Sequence, residues 1–197
     1  MALNRNLVNW SRTIHIYFSI CLLVILVFFS LTGITLNHVD FFTAEPNVTE
    51  KVVNPLPAFP LDDQGQIANS PELADFLGNE FDIELNKAIL TQDGDFLFVD
   101  YRTPGATVFI EIDQVLQEAL GETTDYGFVA MLNDLHKARD STILWKWLLD
   151  ISSVLLVLFS LTGFVLLLPN KYRLKRVAGY SLAASILLTL GYWLGTL

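Results

Sequence analysis

Cysteine is nearly absent. Cys21 stands alone in 197 residues, so neither an intrachain disulfide framework nor a CxxC metal site is available. Charge is also sparse, at 17% of residues against about 25% in average soluble domains. Bases are the scarcer sign, 12 Lys and Arg against 21 acids. A net charge of −9 without a basic stripe argues against a nucleic-acid partner, because nothing neutralises phosphates. No GxGxxG or other nucleotide-binding signature occurs, so direct use of a nicotinamide dinucleotide is not expected. Apolar surface takes the place of charge, with 52% hydrophobic residues and a mean hydropathy of +0.45.

Three long runs hold that apolar surface. Residues 14–36 contain no charged side chain, the run from Leu148 to Pro169 contains one acid, Asp150, and the third run covers residues 177–197. Crossing the hydrocarbon takes roughly 20 apolar residues at 1.5 Å each, and all three runs suffice. The first run exceeds the length of a signal-peptide core and no A-x-A site follows it, which predicts an uncleaved anchor. Arg5 and Arg12 precede it, and Lys171, Arg173, Lys175 and Arg176 lie between the second and third runs. The positive-inside bias therefore predicts a cytoplasmic N-terminus (1–13), spans at 14–36, 143–169 (with its approach) and 177–197, a cytoplasmic loop at 170–176, and a C-terminus at Leu197 on the far side. Trp10, Tyr17, Trp145, Trp147, Tyr172 and Trp193 fall near the interfaces this layout implies.

Residues 37–142 then form a small α+β domain outside the cytoplasm. It opens with a proline-rich linker, Asn54 to Pro60, unsuited to helix or central strand. Ser70-Pro71-Glu72 reads as a helix start, with Gly78 suited to its end. Runs at 87–91, 96–101 and 107–112, with turns at Asp93-Gly94 and Pro104-Gly105, predict an antiparallel meander. Asp113 is expected to cap a short helix over 114–120 stopped by Gly121, and a last helix is expected over 128–138. From Asp40 to Asp140 there are 20 acids against 5 bases. Such a surface either solvates the domain or attracts cations, including hard metal ions that favour carboxylates.

Two features invite chemistry. Phe29-Ser-Leu-Thr-Gly33 recurs letter for letter as Phe159-Ser-Leu-Thr-Gly163. A glycine beside Thr or Ser in a span permits close approach of a flat ligand or another helix, although apolar sequence also repeats by chance. All three histidines, His15, His38 and His136, fall near a membrane interface. His15 and His38 are 23 residues apart, about 34 Å along a helix, close to the thickness of the hydrocarbon core. An interfacial histidine can simply tolerate its polar boundary. Neutral imidazole is also a good axial ligand for haem iron, and Arg12, Lys137 and Arg139 are placed to pair with propionates.

The stretch from Leu132 to Arg176, with Asp134-Leu-His136-Lys, Trp145-Lys-Trp147, Asp150 and Leu161-Thr-Gly163, resembles the PepSY-associated transmembrane family. Arg12-x-x-His15 and Leu31-Thr-Gly33 extend the likeness to the N-terminal half. The resemblance implies a bacterial inner-membrane protein of iron uptake whose characterised types bind haem b and reduce ferric iron or ferric siderophores. On that reading His15, His38 and His136 ligate haem iron, with Arg12 and Arg139 beside the cofactor. Quinol or reduced flavin is the donor, and periplasmic Fe(III) or a ferric chelate is the acceptor. Larger members carry more spans and histidines than this chain. Three histidines do not make two bis-histidine sites, and a homodimer restores the count. Small-residue pairs on the third span, Gly179/Ala183 and Gly191/Gly195, suit such packing. Asp40, Asp134 and Asp140 flank the outer histidines and are expected to attract the acceptor. The alternatives are a cofactor-free regulatory or scaffolding membrane protein, or an accessory subunit of an iron transporter.

Overall fold

A computed structural model describes residues 4–63 and 65–196. Among the described residues three helices are long and apolar enough to cross a bilayer: α1 (Arg5–Asn37), a helix at Ile143–Leu167 and one at Lys171–Gly195. A short helix, α2 (Val39–Phe42), follows α1. The intervening chain folds as a five-stranded antiparallel sheet with two helices. This is a membrane protein of three transmembrane helices and a small α+β domain.

By contacts the chain divides into two units, one comprising α1 up to Phe28 with the chain from Trp147 onward, the other running from Phe29 to Lys146. In the first unit Leu22 is fully buried, joined by Ser11 and Ser152, while the large apolar side chains around them face outward. An apolar exterior of this kind is what lipid solvates. The helix at Lys171–Gly195 begins six residues before the predicted third span, because the Asn170 side chain accepts the Arg173 N–H at 3.0 Å and caps it. The four bases predicted to lie in a loop at 170–176 thus stand on the first turns of a helix. The predicted end of that span at Leu197 lies outside the described residues.

In the second unit the sheet runs in the order β1-β5-β4-β3-β2, with β1 Asn47–Val53, β2 Ile89–Asp93, β3 Phe96–Thr103, β4 Ala106–Asp113 and β5 Glu118–Asp125. The meander β2–β3–β4 matches the expected one, with Gly94 at φ +58° in the first turn and Gly105 at φ +78° in the second. Helix α3 (Pro71–Phe81) starts as expected: the Ser70 hydroxyl accepts the Leu73 N–H at 3.2 Å and Pro71 occupies the first position. It passes through Gly78 and stops at Asp82, whose φ is +57°. Leu73, Phe76 and Leu77 of α3 pack with Leu97, Val99, Ile110, Ile112 and Ala119 of the sheet to form the core.

Two differences from the sequence expectations stand out. The helix over 114–120 does not form. Asp113 does act as a cap, its Oδ1 accepting the N–H groups of Val115 at 2.7 Å and Leu116 at 2.9 Å, but Gln117 takes φ +57° and turns the chain back into β5. Gly121 is therefore no helix stop. It is a strand residue paired with Ile110, and a Cβ there would run into the Phe81 ring. The strand β1 is the second difference. Its side chains are exposed except for a half-buried Val53, so it lacks the apolar alternation that marks a strand in sequence.

Candidate functional site

The repeated pentapeptide forms two histidine sockets. Phe, Thr and Gly at spacings of three and four share one helix face, so each copy offers an aromatic ring, a hydroxyl and a gap side by side. The copies lie on α1 and on α5 (Ile143–Leu167).

In the socket on α5 the guest is His15, carried by α1. Its ring stacks on Phe159 with centroids 4.2 Å apart and planes 11° from parallel. Nδ1 lies 3.1 Å from the Phe159 carbonyl oxygen and 3.1 Å from Thr162 Oγ1. A carbonyl only accepts, so Nδ1 carries the hydrogen and donates. Thr162 Oγ1 in turn donates to the same carbonyl at 2.8 Å. In the neutral ring this partner set puts the hydrogen on Nδ1, and Nε2 makes no hydrogen bond among the described residues. Gly163 supplies the gap: a Cβ there would lie 3.1 Å from His15 Cε1 and 3.5 Å from Nδ1.

In the socket on α1 the guest is His136, the last residue of α4 (Gly127–His136). Its Nδ1 is 2.6 Å from Thr32 Oγ1, and Phe29 meets the ring edge-on at 4.7 Å and 66°. The Thr32 hydroxyl also lies 3.5 Å from the Phe29 carbonyl, a longer contact than its counterpart in the other socket. The Cβ that Gly33 lacks would sit 3.9 Å from His136 Cε1, an ordinary contact. The C-terminal turn of α4 is anchored residue by residue. Asn133 Oδ1 accepts from Thr35 Oγ1 at 2.7 Å, Asp134 Oδ2 accepts from the Gly105 N–H at 3.0 Å, and the Leu135 carbonyl accepts from Trp145 Nε1 at 2.9 Å. Burial, and then the neighbouring Lys137 ammonium, hold the His136 imidazole below its ordinary pKa. It is therefore neutral at pH 7, the form that ligates metal.

The remaining predicted residues are more dispersed. His38 follows the end of α1 and is exposed, with no side-chain capping bond to α2. Arg12 is exposed on α1, three residues before His15, and Asp40 is exposed in the first turn of α2. Asp134, Arg139 and Asp140 line one cavity of about 350 Å³ together with Arg102 and Lys137. His15 and His136 stand out in the sequence by residue type, but their hosts do not. The repeat itself is the available signal for Thr32, Thr162 and the two phenylalanines. Nothing in the order of residues announces Arg102, which reaches the cavity from β3.

Among the described residues no group of three or more His, Cys, Asp or Glu side chains is placed to hold a metal ion. Single imidazoles with a tied Nδ1 and an open Nε2 suit a metal that brings its own equatorial ligands, as haem iron does. The residues present fit that group at His15 and at His136.

No curated protein matches this chain, and no solved structure does. The family model described as PepSY_TM-like matches residues 9–191. That match takes in both histidine sockets and the whole α+β domain, and the chain belongs to the PepSY_TM-like family.

Proposed function

We propose that this protein is a haem b-containing ferric reductase of the bacterial inner membrane that passes electrons outward to periplasmic Fe(III) or a ferric chelate. The observation that carries the reading is the pair of related sockets, each with one imidazole Nδ1 at a threonine hydroxyl and no hydrogen bond on Nε2 among the described residues. Haem b bound at these imidazoles supplies reversible one-electron carriage. The net reaction takes one electron per iron from quinol or reduced flavin and yields Fe(II).

The chain's own residues do the positioning. Phe159 and Phe29 pack against the rings, the Thr162 and Thr32 hydroxyls hold Nδ1, and Gly163 lets the His15 ring sit close to the helix. Fixing the ring orientation in this way removes rotamer freedom before a ligand arrives. His15 lies near the cytoplasmic end of the first span under the positive-inside assignment, and His136 near the outer end. His38 shares the outer side and is the proposed second ligand there. A homodimer brings a second His15 to the inner side across a two-fold axis, with the lipid-facing third helix available for packing.

The test is oxidation of the dithionite-reduced, detergent-purified protein by ferric citrate in a stopped-flow instrument. The reduced haem bands should bleach, with ferrozine trapping one Fe(II) per electron lost. Reduced bands that persist in excess ferric citrate would refute the reductase reading, even for a haem protein.

A further inference from the structure

From Asp40 to Asp140 the chain carries 20 acids and only 5 bases, yet Arg102, Lys137 and Arg139 line a single groove of about 350 Å³. The other two bases are spent elsewhere, Lys51 on Glu80 at 2.8 Å and Lys87 on Glu84 at 2.6 Å. Two acids, Asp134 and Asp140, share the groove. Asp134 is already engaged, accepting the Gly105 N–H and lying 3.8 Å from Lys137 Nζ. Asp100, outside the lining, takes Arg102 Nε at 2.9 Å and Nη2 at 2.7 Å, which fixes that guanidinium and leaves its other N–H groups. Arg139 is exposed and has no acidic partner within ion-pair distance among the described residues. Cations outnumber acids in this lining, against the run of a strongly anionic domain.

The walls are built rather than accidental. The β3–β4 turn is clamped to α4 from two directions: Asp134 takes the Gly105 N–H, and the Gly105 carbonyl accepts the Tyr126 N–H at 2.9 Å. Gly105 is so close to α4 that a Cβ would fall 2.8 Å from Met131 backbone atoms. On the other wall Arg139 is presented between Ala138 and Asp140, whose φ values are +53° and +50°. Two non-glycine residues in the left-handed region around one cation are costly and persist where surrounding structure enforces them. Hydroxyls of Thr103, Thr107 and Tyr126 add neutral hydrogen-bonding groups to the lining.

We infer that this groove binds a small polycarboxylate anion, and that the acceptor reaches the protein as an anionic citrate-class chelate rather than as bare Fe(III). The iron in that statement rests on the proposed function; the anion is read from the groove alone. The volume lies at the lower end of ligand sites and suits a compact chelate. Two guanidinium groups and an ammonium match carboxylate oxygens, Arg139 with a whole fork of donors and Arg102 with the N–H groups that Asp100 leaves over. The surrounding acids repel anions generally, so they favour a ligand that satisfies all three cations at once over a single free carboxylate. A phosphate headgroup offers the same charge chemistry, and Leu36 and Val39 border the groove, so the test separates the two sources.

The experiment is calorimetric titration of the full chain in nanodiscs with citrate and with gallium(III) citrate, which is redox-inert. In phosphatidylcholine discs we expect saturable binding at one site per chain. The R102Q/R139Q variant should weaken it at least about tenfold, the loss of charge-assisted hydrogen bonds, while K51Q leaves it unchanged. No binding by the wild type, or equal binding by R102Q/R139Q, would overturn the inference. So would binding abolished by phosphatidylglycerol in the discs, which would assign the groove to a lipid phosphate. Because gallium cannot be reduced and haem is not read, the outcomes separate cleanly. A haem-free chain that binds citrate keeps the groove and removes the reductase reading, and a haem protein that ignores citrate does the reverse.

Discussion

At the level of single residues, the two sockets share a plan but not a tightness. His15 is held by two partners and presses against Gly163, whereas His136 has one short contact to Thr32 and room above Gly33. Alanine at position 163 must displace the His15 ring by a few tenths of an ångström; alanine at position 33 adds only an ordinary contact. G163A should therefore lower haem retained per chain, measured as pyridine haemochrome, while G33A leaves it near wild type. Equal losses would contradict this difference in fit. The hydroxyls give a second test. T162V should weaken cofactor affinity by roughly 10–100-fold, the usual effect of removing a partner behind a metal ligand, and T162S should restore it. Loss of that affinity in T162S as well would point to packing by the threonine methyl instead. The histidines are legible in the chain because their type and interfacial positions are visible there. Their partners are not, since Thr162 lies 147 residues from His15 and only the repeated pentapeptide hints at a shared role.

At the level of elements, the helices and the β2–β3–β4 meander can be read because periodicity, capping and turn residues agree locally. The β5 strand cannot. Glu118–Asp125 contains Glu, Ala and Gly, residues with poor strand propensity, and it is a strand because β1 and β4 pair on either side of it. The glycines follow from this placement. G105A combines a φ of +78° with a collision against the Met131 backbone, which cannot swing aside. G121A meets only the Phe81 ring, which can. Thermal unfolding followed by far-UV dichroism should show G105A as the more damaging, by several kcal/mol against about 1–3 kcal/mol for G121A. Shortening the obstructing ring, as F81L, should recover part of the G121A loss. Additive losses for that pair would mean that the two residues do not share the strain.

Across the whole molecule, the three spans are the most legible feature, because apolar length and low charge are read directly from composition. The positions of the bases predict an orientation. Reporter fusions at Asn69 should be active only outside the cytoplasm and fusions at Lys171 only inside; the opposite pattern would invert both sockets and move the groove to the wrong face. The third helix has no buried residue among those described, and a Cβ on Gly179, Gly191 or Gly195 would meet nothing within 4 Å. If those faces pack against a second chain, light scattering of the detergent complex should give a protein mass of two chains, reduced to one by Gly191→Leu/Gly195→Leu. A wild-type monomer would leave His15 without its proposed mate.

Whether the sockets present two imidazoles to haem is decided by the reduced-minus-oxidised optical spectrum of protein purified from haem-replete cells, for the wild type and for H15A and H136A. A Soret band and the sharp α-band of low-spin b-type haem are expected in the wild type. Each single variant should lose part of the haem, and the double variant should be colourless. A colourless wild-type protein, or a double variant with an unchanged spectrum, would contradict the haem assignment.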